Sequence, residues 1–98
     1  MLNIYNFSLT DKEVLENVFK KEDILMNHVV IEPGKIFPKH PTDAEVFAIV
    51  LKGELSVTVE DMEMQTFKFG QVVNIAKGTM SELGNRSDAL VELLVIKL

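Results

Sequence analysis

Turn signals at close intervals constrain the fold of this chain more than any other feature of its sequence. From residue 24 onward these signals recur at Pro33-Gly34, Gly53, Glu60-Asp61, Gly70, Lys77-Gly78 and Gly84-Asn85. Between two of these breaks, Leu55, Val57 and Val59 alternate with polar residues. A period of two is typical of a strand with one buried face. Short strands at spacings of about 8–12 residues favour a sandwich or a barrel, so the sequence predicts an all-β fold.

The length of the chain predicts a single domain, and two apolar segments predict strands within it. The chain has 98 residues, which is enough for one hydrophobic core and too few for two. Residues 46–51 and 90–98 are almost wholly apolar, which favours strands covered on both faces. We therefore expect one domain over residues 1–98, with an N-terminal extension over residues 1–23 and a barrel over residues 24–98.

The N-terminal extension has a different pattern from the rest of the chain. Thr10 and Glu13 have the spacing of a capping box, in which each side chain bonds the backbone N–H of the other residue. Four apolar residues follow at helical spacing, namely Val14, Leu15, Val18 and Phe19. This pattern predicts one short amphipathic helix over about residues 11–20, packed over one end of the sheet.

Composition excludes several classes of function. The chain has no cysteine, which rules out disulfides, thiolate catalysis and thiolate metal sites. Its net charge of −5 and its scattered basic residues argue against nucleic acid as a partner. No apolar run approaches the roughly 20 residues that span a bilayer, and no secretory signal is visible at the N-terminus. We therefore expect no membrane partner and a cytoplasmic location.

Two segments that each begin with a glycine, residues 34–53 and 70–85, resemble the paired motifs of the cupin superfamily. The first cupin motif runs glycine, five residues, His-x-His, three or four residues, glutamate, six residues, glycine. The second runs glycine, five residues, Pro-x-Gly, two residues, histidine, three residues, asparagine. The residues of this chain that match are Gly34, His40, Gly53, Gly70, Gly78 and Asn85. The resemblance implies a double-stranded β-helix, also called a jelly-roll barrel, of two packed sheets with a cavity between them.

The resemblance also implies where a metal ion would bind, and this chain departs from the family there. In metal-binding cupins, two histidines and a glutamate of the first motif and a histidine of the second hold a divalent ion. Only His40 remains, because Thr42, Val46 and Ser81 occupy the other three positions. Threonine, valine and neutral serine are poor or useless ligands for transition metals. The sequence therefore predicts a degenerate metal site, with no cofactor.

A rebuilt metal site is the alternative. Glu45 is one residue from the expected glutamate, but a shift of one residue turns a side chain to the opposite face of a strand. A site of His28, His40 and a glutamate such as Glu92 could hold a divalent transition metal. Otherwise we expect His28 to be a core histidine bonded to a neighbouring strand, and Glu92 to face solvent on the outer sheet face.

Three functions stay open at this point. The first is a metal-free binding or sensing module with an unknown small molecule in the barrel cavity, contacted by His28, His40, Thr42, Val46 and Ser81. The second is a cupin enzyme of the isomerase or oxygenase type. It would use either a rebuilt metal site at His40 and His28, or His40 as a general base without metal. The third is a dimeric structural or regulatory partner.

A homodimer is expected on two grounds. Cupins commonly pair through their sheets, so the resemblance implies a dimer. Independently, segments as apolar as VFAIVL and LVELLVI leave more apolar surface than one small barrel hides.

Overall fold

The computed structural model describes residues 1–98, and all of its regular elements are β-strands. The nine strands are β1 (Val14–Lys21), β2 (Ile24–Ile31), β3 (His40–Pro41), β4 (Val46–Lys52), β5 (Leu55–Val59), β6 (Gln65–Phe67), β7 (Val72–Ile75), β8 (Met80–Gly84) and β9 (Val91–Lys97). The all-β prediction is therefore confirmed. No helix in the chain is long and apolar enough to cross a membrane.

The strands form two antiparallel sheets. The larger sheet has five strands in the order β1-β2-β9-β4-β7, and the smaller has four in the order β3-β8-β5-β6. The core lies between them. Eleven buried residues form it, namely Val29, Ile31, Val46, Ala48, Val50, Leu55, Val57, Val73, Ile75, Val91 and Leu93. Because fully burying an aliphatic side chain contributes roughly 1.5–3 kcal/mol, this cluster is the main source of stability.

Alternation along β4 shows which face of the five-stranded sheet is the inner one. Val46, Ala48 and Val50 are buried in the core, whereas Phe47 and Ile49 on the outer face are only half-buried. The prediction that residues 46–51 form a strand is confirmed. The expectation of full burial on both faces is not met, because the outer face of β4 keeps part of its apolar surface exposed.

The predicted N-terminal helix is wrong, because this segment is strand β1, paired with β2. The capping residues serve other contacts: Thr10 Oγ1 accepts a hydrogen bond from Lys12 N at 3.1 Å, and Glu13 N donates to a Glu32 carboxylate. A register shift between Asn17 and Phe19 adds an extra residue to β1. Such a bulge interrupts the alternation of side chains between the two faces of a strand. The apolar residues of β1 therefore have a spacing that resembles the spacing in a helix.

Residues 1–10 contain no regular secondary structure but pack against the outer face of β1 and β2. The Tyr5 and Phe19 rings have their centroids 5.0 Å apart, and the Phe7 ring lies 4.4 Å from the His28 ring. Ser8 donates hydrogen bonds from N and Oγ to the Glu16 carboxylate, at 3.0 and 2.9 Å. This segment, residues 1–10, is called the N-terminal strap below.

Residues of the two motif segments, 34–53 and 70–85, meet at one end of the barrel. Gly34 N donates to Asn85 O, and Asn85 N donates to Lys35 O, both at 2.8 Å. The buried Asn85 side chain donates from Nδ2 to Ile31 O at 2.9 Å and to Ala89 O at 2.7 Å. These bonds join the end of β2 to the loop before β9. Asn85 therefore has a structural role, as does Gly34, whose φ of 85° favours glycine.

Candidate functional site

A cavity of about 330 Å³ opens between the two sheets at the end of the barrel where β3 lies. This volume is at the lower end of the roughly 300–1,000 Å³ that is typical of small-molecule sites. Most of the wall is apolar, with contributions from both sheets, including Val29, Ile31, Phe37, Leu83, Leu93 and Val95. Four of the five predicted ligand-binding residues line this cavity, namely His40, Thr42, Val46 and Ser81.

His40 lies at the exposed mouth of the cavity on β3, directly opposite Ser81 of β8. Its Nδ1 is 2.9 Å from Pro38 O. A carbonyl oxygen only accepts, so Nδ1 carries the hydrogen of this bond. In the neutral ring Nε2 is then an acceptor, and it has no protein partner. His40 thus presents a free basic nitrogen at the mouth.

Ser81 is fully buried, and its hydroxyl is the one buried side-chain group of the chain that lacks a hydrogen-bond partner. The buried hydroxyl of Ser56 provides a contrast, since it donates to Gly84 O at 3.0 Å. Burying a hydroxyl without a partner costs roughly 1–3 kcal/mol on the evidence of protein mutations. The Ser81 hydroxyl, which can both donate and accept a hydrogen bond, is therefore unpaired at the wall of a largely apolar cavity.

Thr42 is largely committed to the fold. Its Oγ1 donates to Ala76 O at 2.8 Å, its backbone N donates to Thr79 O, and its carbonyl accepts from Gly78 N. These three bonds join the loop after β3 to the turn before β8. Thr42 therefore shapes the mouth of the cavity, and its hydroxyl keeps only acceptor capacity for a ligand.

Val46 and Glu45 point to opposite faces of the sheet, as the sequence predicted. Val46 is buried and lines the cavity, whereas the Glu45 carboxylate lies beside Asn74 Nδ2, 3.4 Å away. Asn74 pairs with Phe47, an outer-face residue of β4. Glu45 is therefore not among the residues that line the cavity.

One loose ion pair lies at the mouth of the cavity. Lys97 Nζ is 3.8 Å from the Asp43 carboxylate, whose side chain is 87% exposed. Exposed pairs of this kind contribute about 0–1 kcal/mol. The sequence did not single out either residue, because only the placement of β9 beside β4 brings Lys97 to this end of the barrel.

His28 does not reach the cavity, which is a correction to its predicted place in the binding site. On β2, Asn27 and Val29 point into the cavity, so His28 between them points to the outer face. There the ring is fully buried, beneath the Phe7 ring of the N-terminal strap. The proposed pairing of His28 with His40 does not form.

On the outer face His28 lies between two carboxylates. Its Nδ1 is 2.8 Å from Glu16 Oε2, and its Nε2 is 2.7 Å from Glu92 Oε2. Carboxylates only accept hydrogen bonds, so the imidazolium form satisfies both contacts. Glu92 does lie on the outer face, but it is three-quarters buried and bonded rather than directed at solvent.

The Glu16 carboxylate shows the electrostatic effect of this arrangement. The hydrogen bond from His28 lowers the pKa of Glu16 below its ordinary value of 4.5, and the hydrogen bonds from Ser8 lower it further. Sequence reasoning grouped His28 with Glu92 only as ligands of a possible metal site, and it missed Glu16. The two-residue turn at Glu22-Asp23 was a usable signal, because a hairpin there brings Glu16 opposite His28.

The donor set of the cavity does not fit a transition metal. His40 is the only imidazole among the lining residues, and Asp43 is exposed beside Lys97. No group of three or more His, Asp or Glu side chains in the structure is arranged to hold a metal ion. Catalytic zinc sites use three protein ligands, so these residues supply too few donors.

Comparison with known proteins gives a consistent result. The family profile described as "Cupin domain" matches residues 27–97. An uncharacterised protein of Methanocaldococcus jannaschii is 30% identical over 95 residues, which is 96% of this chain and 82% of that protein.

Solved structures agree in fold. The crystal structure of an RmlC-like cupin family protein from M. jannaschii, with a double-stranded β-helix fold, has a TM-score of 0.91 and 28% identity. It covers 99% of this chain and 90% of that one. A cupin-like protein of Thermotoga maritima has a TM-score of 0.78 at 21% identity, covering 85% of this chain and 65% of its own. At that identity the likeness shows the fold alone.

Proposed function

This chain belongs to the cupin family, and we propose that it is a metal-free module that binds a small, largely apolar molecule in its barrel cavity. One observation carries the proposal: the buried Ser81 hydroxyl, which has no protein partner, lies at the wall of a largely apolar cavity. Buried polar groups in folded proteins are nearly always hydrogen-bonded, so an orphaned one beside a cavity favours a partner that arrives from outside.

The walls of the cavity provide the other part of the binding energy. Removing apolar surface from water contributes roughly 25 cal/mol per Å². A ligand between Val29 and Leu93 on one sheet and Leu83 on the other would bury its surface on both sides. His40, with its free Nε2, and Thr42, as an acceptor, are the polar contacts at the mouth.

A fragment library screened by ligand-observed NMR tests this proposal. We expect several weak binders to the unaltered chain. Substitution Ser81→Leu places a bulky side chain in the cavity and should abolish their binding. Thr58→Leu is the matched control. Thr58 lies on β5 next to Val59, which is the register partner of Ser81, and it is not among the cavity-lining residues.

Two outcomes would overturn the proposal. One is a screen without any binder, and the other is a set of binders that Ser81→Leu leaves unchanged. If Ser81→Leu fails to fold, Ser81→Val serves as the smaller replacement. Circular dichroism and the dispersion of amide signals establish beforehand that each variant keeps the fold.

The free Nε2 of His40 favours a second candidate, a cupin enzyme of the isomerase or oxygenase type. A histidine within reach of a substrate in the cavity can act as a general base, which contributes typically ~10²–10⁴-fold to a rate. Elemental analysis of untagged protein, purified without chelator, distinguishes a metal-dependent enzyme from a metal-free one. Near-stoichiometric Fe, Mn, Ni or Zn that disappears in His40→Ala would replace the metal-free proposal.

A homodimer is also proposed, with a second copy as the partner of the outer face of the five-stranded sheet. Phe47, Ile49 and Leu94 are only half-buried there. Sedimentation should show a species of twice the 11.1 kDa chain mass. Ile49→Lys should shift it to the monomer, whereas Thr58→Lys, on the other sheet, should not; a wild-type monomer would contradict the dimer.

A further inference from the structure

The polar groups that the cavity leaves unpaired indicate the chemistry of its ligand. We infer that the ligand is a neutral molecule with an apolar body and one hydroxyl group, held between Ser81 Oγ and His40 Nε2. This inference rests on the proposed binding function and specifies the ligand class for the same cavity.

The first argument is the hydrogen-bonding capacity of two neighbouring side chains. Ser81 and His40 are direct register partners on β8 and β3, and both line the cavity. Side chains at such positions lie about 4.5–5.5 Å apart at Cβ, so one small group can reach both. Ser81 Oγ can donate, and the unpartnered His40 Nε2 can accept. A hydroxyl group matches this pair, because it accepts one bond and donates another.

The second argument is the absence of a free charge inside the cavity. Lys97 and Asp43 are the only Lys, Arg, Asp or Glu residues of the lining, and they face each other at the mouth. Their charges cancel, so the wall has no net charge to offset a charged ligand. Moving an unpaired charge out of water is costly, which favours a neutral head group.

The third argument is size. A cavity of about 330 Å³ accommodates a small ligand only. The apolar body would contact the wall formed by Val29, Ile31 and Leu93, while the hydroxyl faces the other sheet at Ser81. A single six-membered ring with one hydroxyl is the simplest probe with these properties.

Phenol, toluene and benzoate form a probe set that differs in one group. Toluene replaces the hydroxyl of phenol by a methyl group of similar size, and benzoate replaces it by a carboxylate. Each is titrated into the isotope-labelled full chain while amide shifts are followed by NMR. We expect phenol to shift signals of β3 and β8 and to bind about tenfold more tightly than toluene, the effect of one or two buried hydrogen bonds. Benzoate should bind more weakly than phenol.

Two variants test whether Ser81 makes the distinction. In Ser81→Ala the affinity for phenol should fall to about the toluene level, while toluene binding stays unchanged. Thr58→Ala removes a hydroxyl from β5, one residue before the register partner of Ser81, and does not alter the cavity lining. It should leave the affinities for phenol and toluene unchanged.

The other outcomes overturn the inference in distinguishable ways. Equal affinities for phenol and toluene, or a phenol affinity that Ser81→Ala does not change, would exclude the hydroxyl class but leave cavity binding intact. Benzoate as the tightest ligand, with binding lost in Lys97→Met, would replace it by an anion site at the mouth. If none of the three probes shifts any signal, the inference fails. The fragment screen then decides separately whether the cavity binds molecules of another class or none.

Discussion

The two histidines of this chain lie in opposite surroundings, and the difference shows how a structural polar site can be told from an available one. His28, on the outer face of the five-stranded sheet, is fully buried, and both of its nitrogens are bonded to carboxylates. His40, at the cavity mouth, is exposed and has one free nitrogen. Beside it Ser81 is buried but unsatisfied. The polar groups around His28 are satisfied by the protein, whereas the Ser81 hydroxyl and one nitrogen of His40 at the cavity are not.

Replacing His28 should have the largest effect on stability. In His28→Leu the carboxylates of Glu16 and Glu92 would both lose the ring nitrogen that they contact. Removing one partner of a fully buried ion pair costs about 3–5 kcal/mol. Because both carboxylates are about one quarter exposed, we expect a loss below that range, which urea denaturation at neutral pH measures. His40→Leu is the control and should change the unfolding free energy by less than about 0.5 kcal/mol, as for other exposed positions. Equal losses in the two variants would remove the distinction between the histidines.

The N-terminal strap should contribute less, through the ring that covers His28. Phe7→Ala removes the aromatic contact at 4.4 Å and opens the cluster to water. We expect a loss of about 1–2 kcal/mol, from the aromatic pair and the buried area together. Leu9→Ala is the matched control, because Leu9 is 97% exposed and should be neutral. An unchanged stability in Phe7→Ala would mean that the strap does not cover the outer face in solution.

Acid should weaken the outer face through Glu16. The pKa of Glu16 is lower in the folded chain than its ordinary value of 4.5, chiefly because of the hydrogen bond from His28. A carboxylate of this kind stabilises the fold above its unfolded pKa, and the contribution disappears as pH falls through the folded pKa. Unfolding free energies between pH 6 and pH 3 should therefore fall less steeply in Glu16→Gln than in the wild type.

Glu63→Gln is the control for that pH series. Glu63 is exposed and has no hydrogen-bond partner in the structure, so its variant should follow the wild-type curve. If Glu16→Gln also follows the wild-type curve, the bond to His28 makes no net contribution to the acid response.

Removing the Ser81 hydroxyl should have the smallest effect on stability, with the opposite sign. No protein bond is lost in Ser81→Ala, so the unfolding free energy should stay unchanged or rise by up to about 1 kcal/mol. Ser56→Ala is the comparison, because it removes the hydrogen bond from Ser56 Oγ to Gly84 O and should destabilise. A clear loss of stability in Ser81→Ala would assign Ser81 a structural role and weaken the binding proposal.

The fold was largely predictable because its signals are local. The alternation of Leu55, Val57 and Val59 predicted β5, and the parity of Val46 and Glu45 predicted which of them faces the cavity. Strand β1 was mistaken for a helix because its bulge near Val18 gives apolar residues a helical spacing. No local pattern reveals a bulge, since it exists only relative to the partner strand.

The candidate site was predictable in part. His40, Thr42, Val46 and Ser81 were identified through their places in the motifs, and they do share one cavity. His28 was wrongly assigned to the cavity, because the face to which its side chain points depends on how strands β1, β2 and β9 pair. That the Ser81 hydroxyl lacks a partner is a property of the packed structure, because it depends on what all neighbouring strands leave unfilled.

The position of β9 has a consequence for how the chain is made. This strand is the last of the nine in the sequence, yet it lies at the centre of the larger sheet between β2 and β4. On a ribosome, β2 and β4 would both lack their shared neighbour until residues 91–97 had left the exit tunnel. The strands β2 and β9 are far apart in the sequence, and the pairing of distant segments is slow because a large loop must close first. We therefore expect the barrel to form after synthesis of β9 rather than during it, which leaves β2 and β4 exposed to chaperones in the meantime.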